Sequence, residues 1–174
     1  MTQQRPEAVP PADVAIAYVR ALGDRMVADG CRATTATWHN HPVLLGSRSD
    51  RKARWFGTKS ELFVLAAAVP AVDEAALVDF TKWAMAYASS LRSGIGGARN
   101  AAMVLPALVS TQVAASAREW ATKDARVLGT SVIGRPITVE AGSGVTRVTM
   151  YRGGSVYGGM FTRHVLEKAA LYFS

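Results

Sequence analysis

Glu61-Leu-Phe-Val-Leu-Ala-Ala-Ala-Val-Pro70 decides how this chain folds. A short apolar run without alternation, closed by a proline, reads as a strand covered on both faces. Downstream of it, Asp73 and Glu74 supply a helix N-terminus, and Leu77, Phe80, Ala84, Tyr87 and Leu91 then recur at three- and four-residue steps. That spacing predicts an amphipathic helix, stopped at Ser93-Gly-Ile-Gly-Gly97, where glycines relieve the cost of positive φ. Upstream, Thr34 to His39, Val43 to Arg48 and Arg54 to Val69 are rich in β-branched, aromatic and aliphatic residues with turn formers between them, so two or three antiparallel strands precede the helix. Gly57 marks a bulge or a break in the last of these.

Before the strands, Asp13 caps a helix bearing Ala15, Tyr18, Val19, Leu22 and Met26, which ends at Gly30. After Gly97, Ala101 to Ser110 is a second apolar run, with Pro106 pointing to an edge or bulge position because it lacks a ladder donor. Val113 to Lys123 reads as a short Ala-rich helix anchored by Trp120. Leu128 to Glu140 and Val145 to Arg152 read as strands joined by Ala141-Gly-Ser-Gly144, and Phe161 to Phe173 as a closing helix. The fold class that follows is α/β (α+β): a mixed central sheet flanked by helices in the order α-β-β-β-α-β-α-β-β-α, with a parallel crossover between the strands near Met103 and Val132.

The chain's 174 residues suit one domain, and 49% hydrophobic with 19% charged residues is a globular composition. Residues 1–11, polar and carrying Pro6, Pro10 and Pro11, read as a flexible tail, and 12–174 as a single α/β domain. A single cysteine, Cys31, excludes an internal disulfide and a multi-cysteine metal site. No basic stretch leads into an apolar run at the start, and Leu62 to Val72 is about half the roughly 20 residues that span a bilayer, so a cytoplasmic protein without membrane contact is expected. The net charge of +7 favours acidic partners, but Arg48, Arg51, Lys52 and Arg54 form its one dense cluster, which also reads as a solvated hairpin turn.

The order of elements from Asp13 to Glu140 resembles the core of the PD-(D/E)XK, or restriction-endonuclease-like, superfamily: helix, three strands, helix, strand. Leu62 to Ala88 looks like its third strand running into the long core helix. Leu105 to Ser110 and Ala115 to Ala121 look like the next strand and its Ala-rich helix. The resemblance implies an Asp on the second strand, a Glu or Asp two positions before a Lys on the third, and Mg²⁺ held between the carboxylates. Here Glu61 is followed two positions later by Phe63, Lys59 precedes it, and Asp50 is the nearby upstream acid. Asp50, Lys59 and Glu61 are therefore the candidates for a Mg²⁺-dependent nuclease, while the apolar third strand favours a nuclease-like scaffold that binds or assembles without catalysis and needs no cofactor.

Other patterns compete for a role. His39 and His41 stand two apart, so on a strand they would face one side and offer two metal ligands with no evident third. Gly94 to Arg99 follows a helix where a phosphate loop would precede one, and Gly57-Thr-Lys59-Ser60 lacks the helix that a Walker loop needs. Four glycines around Ser155 and Tyr157 read first as a mobile connection before the last helix, and otherwise permit close approach of a ligand or partner, with Arg135 and Tyr151 on the same face. Trp38, Trp55, Trp83 and Trp120 read as packing residues first, while an exposed Trp55 amid Arg51, Lys52 and Arg54 would stack a base or anchor an interface, and nucleic-acid binding is the third reading. The leading expectation is a binding or assembly module with a protein partner or a second copy of itself.

Overall fold

The computed structural model describes residues 10–55, 57–92, 100–129, 131–142 and 144–174. Among these, four helices and an open, mixed, eight-stranded sheet make an α/β fold. The helices are α1 (Pro11–Ala28), α2 (Glu74–Leu91), α3 (Ala115–Lys123) and α4 (Thr162–Tyr172). The strands are β1 (Arg32–Trp38), β2 (His41–Arg51), β3 (Lys59–Ala68), β4 (Asn100–Ser110), β5 (Arg126–Leu128), β6 (Val132–Gly134), β7 (Ile137–Ala141) and β8 (Thr146–Met150).

β1, β2 and β3 form an antiparallel meander, and β3 pairs in parallel with β4 along its whole length. Beyond β4 the sheet divides. β6 pairs with the first part of β4 and β7 with the last part, both parallel, while β5 and β8 extend each branch antiparallel. The expected single strand over Leu128 to Glu140 is thus three short ones, and the expected order gains two strands. Arg135-Pro136 breaks the run, since the residue before a proline is restricted and the proline cannot donate to a ladder.

That division also explains Pro106, which lies in the middle of the sheet and not at an edge. Ala102 donates its N–H to Ser131 and Val104 accepts from the Arg135 N–H, so by alternation the nitrogen of Pro106 faces the β6–β7 junction, where no ladder bond is required.

The two faces of β3 define two cores. Leu62, Val64 and Ala66 pack with Leu22 and Met26 of α1 and with Val165 and Tyr172 of α4. Phe63, Leu65 and Ala67 pack with Leu77, Phe80 and Ala84 of α2 and with Ala117 of α3. Helices on both faces are the reason the strand carries no polar alternation. On the α1 side, a Cβ on Gly46 would stand 2.6 Å from the Met26 sulfur, so this glycine lets α1 settle directly onto β2.

Several boundaries differ from expectation. α1 starts at Pro11, in the first helical position that suits a proline, with Pro10 as its cap residue, and Asp13 sits in the first turn. Residues 1–9 of the expected tail, the glycine stop at 93–97 and the whole Gly94 to Arg99 segment lie outside the described residues. β3 starts only at Lys59: Ala53–Trp55 is a short 3-10 turn, and Gly57 breaks the strand at φ +80°.

Candidate functional site

The β2–β3 register places the nuclease candidates. Asp50 is opposite Ser60 and Ser49 is opposite Glu61. Directly opposed residues share a face and successive residues alternate, so Asp50 belongs to the face of Leu62, under α4, and Glu61 to the face of Phe63, under α2. The two carboxylates are on opposite sides of the sheet.

Each is also engaged. Glu61 is 5% exposed and receives the Lys59 ammonium at 3.0 Å on its own face. Asp50 takes both arms of Arg48, from Nε at 2.7 Å and Nη2 at 2.8 Å, a bidentate pairing. No group of three His, Cys, Asp or Glu side chains converges as a metal site among the described residues.

Around Asp50 the structure builds a network that spacing alone does not announce. Arg48 reaches the Asp29 carbonyl at 2.7 Å and also the Asp29 carboxylate. That carboxylate further accepts from Lys168 and from the Tyr172 hydroxyl, each at 2.5 Å, and Tyr172 OH is 3.4 Å from the Cys31 sulfur. On the other side, His164 Nε2 is 3.1 Å from Asp50 Oδ2. The C-terminal end of α1, strand β2 and helix α4 are therefore joined by one ionic network at the sheet edge.

Its electrostatics follow from this geometry. Burial raises the Asp29 pKa, but hydrogen bonds from Lys168 and Tyr172 and the Arg48 charge outweigh it, leaving Asp29 below the usual carboxylate range. Asp50 is lowered likewise: burial opposes, and Arg48 and His164 prevail. Burial pushes His164 below its ordinary value against the pull of Asp50, and it pushes the Tyr172 hydroxyl up. These settings favour the ionised forms of Asp29 and Asp50 and the neutral forms of His164 and Tyr172. Asp29 carried one readable signal: an acid at a helix C-terminus opposes the helix dipole, so it needs cations close by.

The basic cluster is correspondingly reduced. Arg48 is committed to Asp29 and Asp50, which corrects its reading as a free binding cation. Arg51 is exposed at the end of β2. Lys52 lies 5.6 Å from the centre of the Trp55 ring, and the Arg54 side chain is outside what the structure describes. Trp55 is fully buried, edge-on to Phe161 and His164 with ring centroids 4.9 and 5.1 Å away, so it has no face open to a base.

The histidines also separate. His39 and Asn40 adopt left-handed φ values of +43° and +65°, forming the two-residue turn between β1 and β2 in which His39 is no longer part of a strand. His39 Nε2 lies 2.8 Å from Asp79 on α2, whereas His41 opens β2. Tyr157 is half exposed, and Arg135, itself buried, donates to the Tyr151 carbonyl at 3.1 Å and so holds the segment after β8 against the sheet.

A groove of roughly 470 Å³ lies at the carboxyl ends of β3 and β4. Pro11, Ala12, Ala15 and Ile16 of α1 make one wall, and His41 and Pro42 another. Ala68, Val69 and Pro70 follow β3, and Thr111 and Gln112 follow β4. Among these described lining residues no acid, lysine or arginine occurs, and His41, Thr111 and Gln112 supply the polar side chains. The floor is braced: the Ser110 hydroxyl donates to the Pro70 carbonyl at 2.9 Å, Gln112 N–H donates to Ser110 Oγ at 3.0 Å, and Val72 N–H to the Gln112 carbonyl at 2.9 Å. Sequence reasoning missed this groove because its lining comes from the ends of several elements, each too small and apolar to stand out.

No protein-family model, curated protein or solved structure matches this chain.

Proposed function

We propose that this chain is a non-catalytic binding protein on a nuclease-like scaffold, taking an uncharged, largely apolar ligand in the groove at the carboxyl ends of β3 and β4. The groove carries the reading. Its size falls in the range of small-molecule sites, its lining is apolar with a few polar groups, and its place outside the strand ends is where open α/β sheets bind ligands. Support for the scaffold comes from the helix, three strands, helix, strand order and from the apolar third strand. Support for binding without catalysis comes from Asp50 and Glu61, which would have to act through the sheet to share one ion.

The test uses N-phenyl-1-naphthylamine, a neutral apolar fluorophore. Saturable one-site binding is expected, weakened at least tenfold by Ala12→Trp, which sets an indole in the groove from an exposed helix position. Sedimentation velocity on the same samples separates the alternative occupant: a dimer dissolved by Ile16→Asp would assign the groove to a second copy of the chain. Absence of saturable binding by the monomer would overturn the reading.

A further inference from the structure

A second groove, chemically unlike the first, is on the α2 and α3 face beside the edge strand β5. It holds roughly 290 Å³ between α2, Trp120 of α3 and the β5 residues Val127 and Leu128. Its walls are apolar, and Val127 and Leu128 remain 41% and 44% exposed because β5 ends the sheet there.

Two of the residues that line it each carry a buried, unsatisfied polar atom. Thr81, on α2, is 2% exposed, lines the groove, and its hydroxyl has no hydrogen-bond partner. Arg126 stacks on Trp120 with its guanidinium 4.2 Å from the ring centre and donates from Nη2 to the Trp120 carbonyl at 3.4 Å, but its buried Nε has no partner. Lys82 adds a second cation at the rim, and no acidic side chain is among the described lining residues. A buried hydroxyl and a buried guanidinium N–H left unmade are costly, so two unpaired donors on residues that line one apolar slot point to an acceptor that is absent from the free protein.

We propose that this groove binds a small anionic amphiphile, a short acyl or aryl carboxylate, with its apolar body between Met85, Val127 and Leu128 and its carboxylate on Arg126 Nε and the Thr81 hydroxyl. The stacking of Arg126 on Trp120 fixes the guanidinium plane in advance, so little side-chain order is lost on binding. The small volume selects a short chain, and the positive lining with no acid selects an anion over a neutral analogue.

Isothermal titration of the intact protein with octanoate tests it. One site is expected, with 1-octanol at least tenfold weaker and the octanoate affinity falling as salt is raised. Arg126→Met, which keeps the apolar stem, should weaken octanoate tenfold or more, and Ala86→Trp should block the mouth. Thr81→Val separates a ligand role from a packing role: it should raise the melting temperature of the free protein by removing an unpaired hydroxyl, yet weaken octanoate several-fold. Ala12→Trp, in the other groove, should leave octanoate unchanged, so the two sites fail or stand independently. No saturable heat at millimolar octanoate, or binding indifferent to Arg126→Met and Ala86→Trp, overturns the proposal.

Discussion

Trp55 shows how one side chain carries a disproportionate share of this core. Fully buried, it meets Phe161 and His164 edge-on and has the Lys52 ammonium over its ring, which ties the β2–β3 connection to α4. Trp55→Ala should destabilise the protein by about 3–5 kcal/mol, as large-to-small changes at buried aromatic positions do, and Trp55→Phe by distinctly less. Urea denaturation reads both, and an unchanged midpoint in Trp55→Ala would return the indole to a surface role. Packing is the first expectation for Trp55 and it holds; the alternative of an exposed indole amid Arg51, Lys52 and Arg54 does not, because the 3-10 turn at Ala53–Trp55 directs the ring inward. Arg48 departs from its expectation as a binding cation because its charge is already paired. Its partners Asp50 and Asp29 are two and nineteen residues away, and the second of these contacts exists only because α1 ends beside β2.

At the level of elements, legibility follows length and periodicity. α2 has both, and its start is fixed by Asp73, whose Oδ1 accepts the Ala76 N–H at 2.7 Å. Asp73→Ala should cost about 1 kcal/mol, the usual value of a lost N-cap, measured as a shift in the chemical denaturation midpoint with unchanged slope. The apolar runs of β3 and β4 are legible as strands because both faces are covered, but β3 starts at Lys59 and not Arg54, and Pro106 of β4 lies inside the sheet and not at an edge. The segment from Arg126 to Ala141 is not legible in this way. β5 and β6 have three residues each, too short for alternation to register, and the switch from β6 to β7 depends on which stretch of β4 each strand meets. Both grooves were invisible for the same reason: each is lined by element ends brought together only by the pairing of the sheet.

For the whole molecule, the ionic network makes stability depend on pH in two stages with the same sign. His164 is 2% exposed and faces Asp50, Lys52 and Lys168, and burial lowers its pKa beneath the ordinary 6.5. The unfolded chain therefore binds a proton on this residue more readily than the folded one does, so its contribution is fully present above pH 6.5 and is lost as pH falls from there toward the folded pKa. Asp29 and Asp50, both lowered from 3.8, contribute stability that is present above that value and is lost as pH falls through their folded pKa values. Urea midpoints measured at pH 7.5, 5.5 and 3.5 should fall at each step. His164→Gln separates the stages, because the amide can still donate to Asp50 but does not titrate: its midpoint should change little between pH 7.5 and 5.5 and then drop with the wild type in the carboxylate range. An equal fall of both proteins over the first interval would place the titrating group elsewhere and would leave the α4 contact with β2 without a role in the acid response.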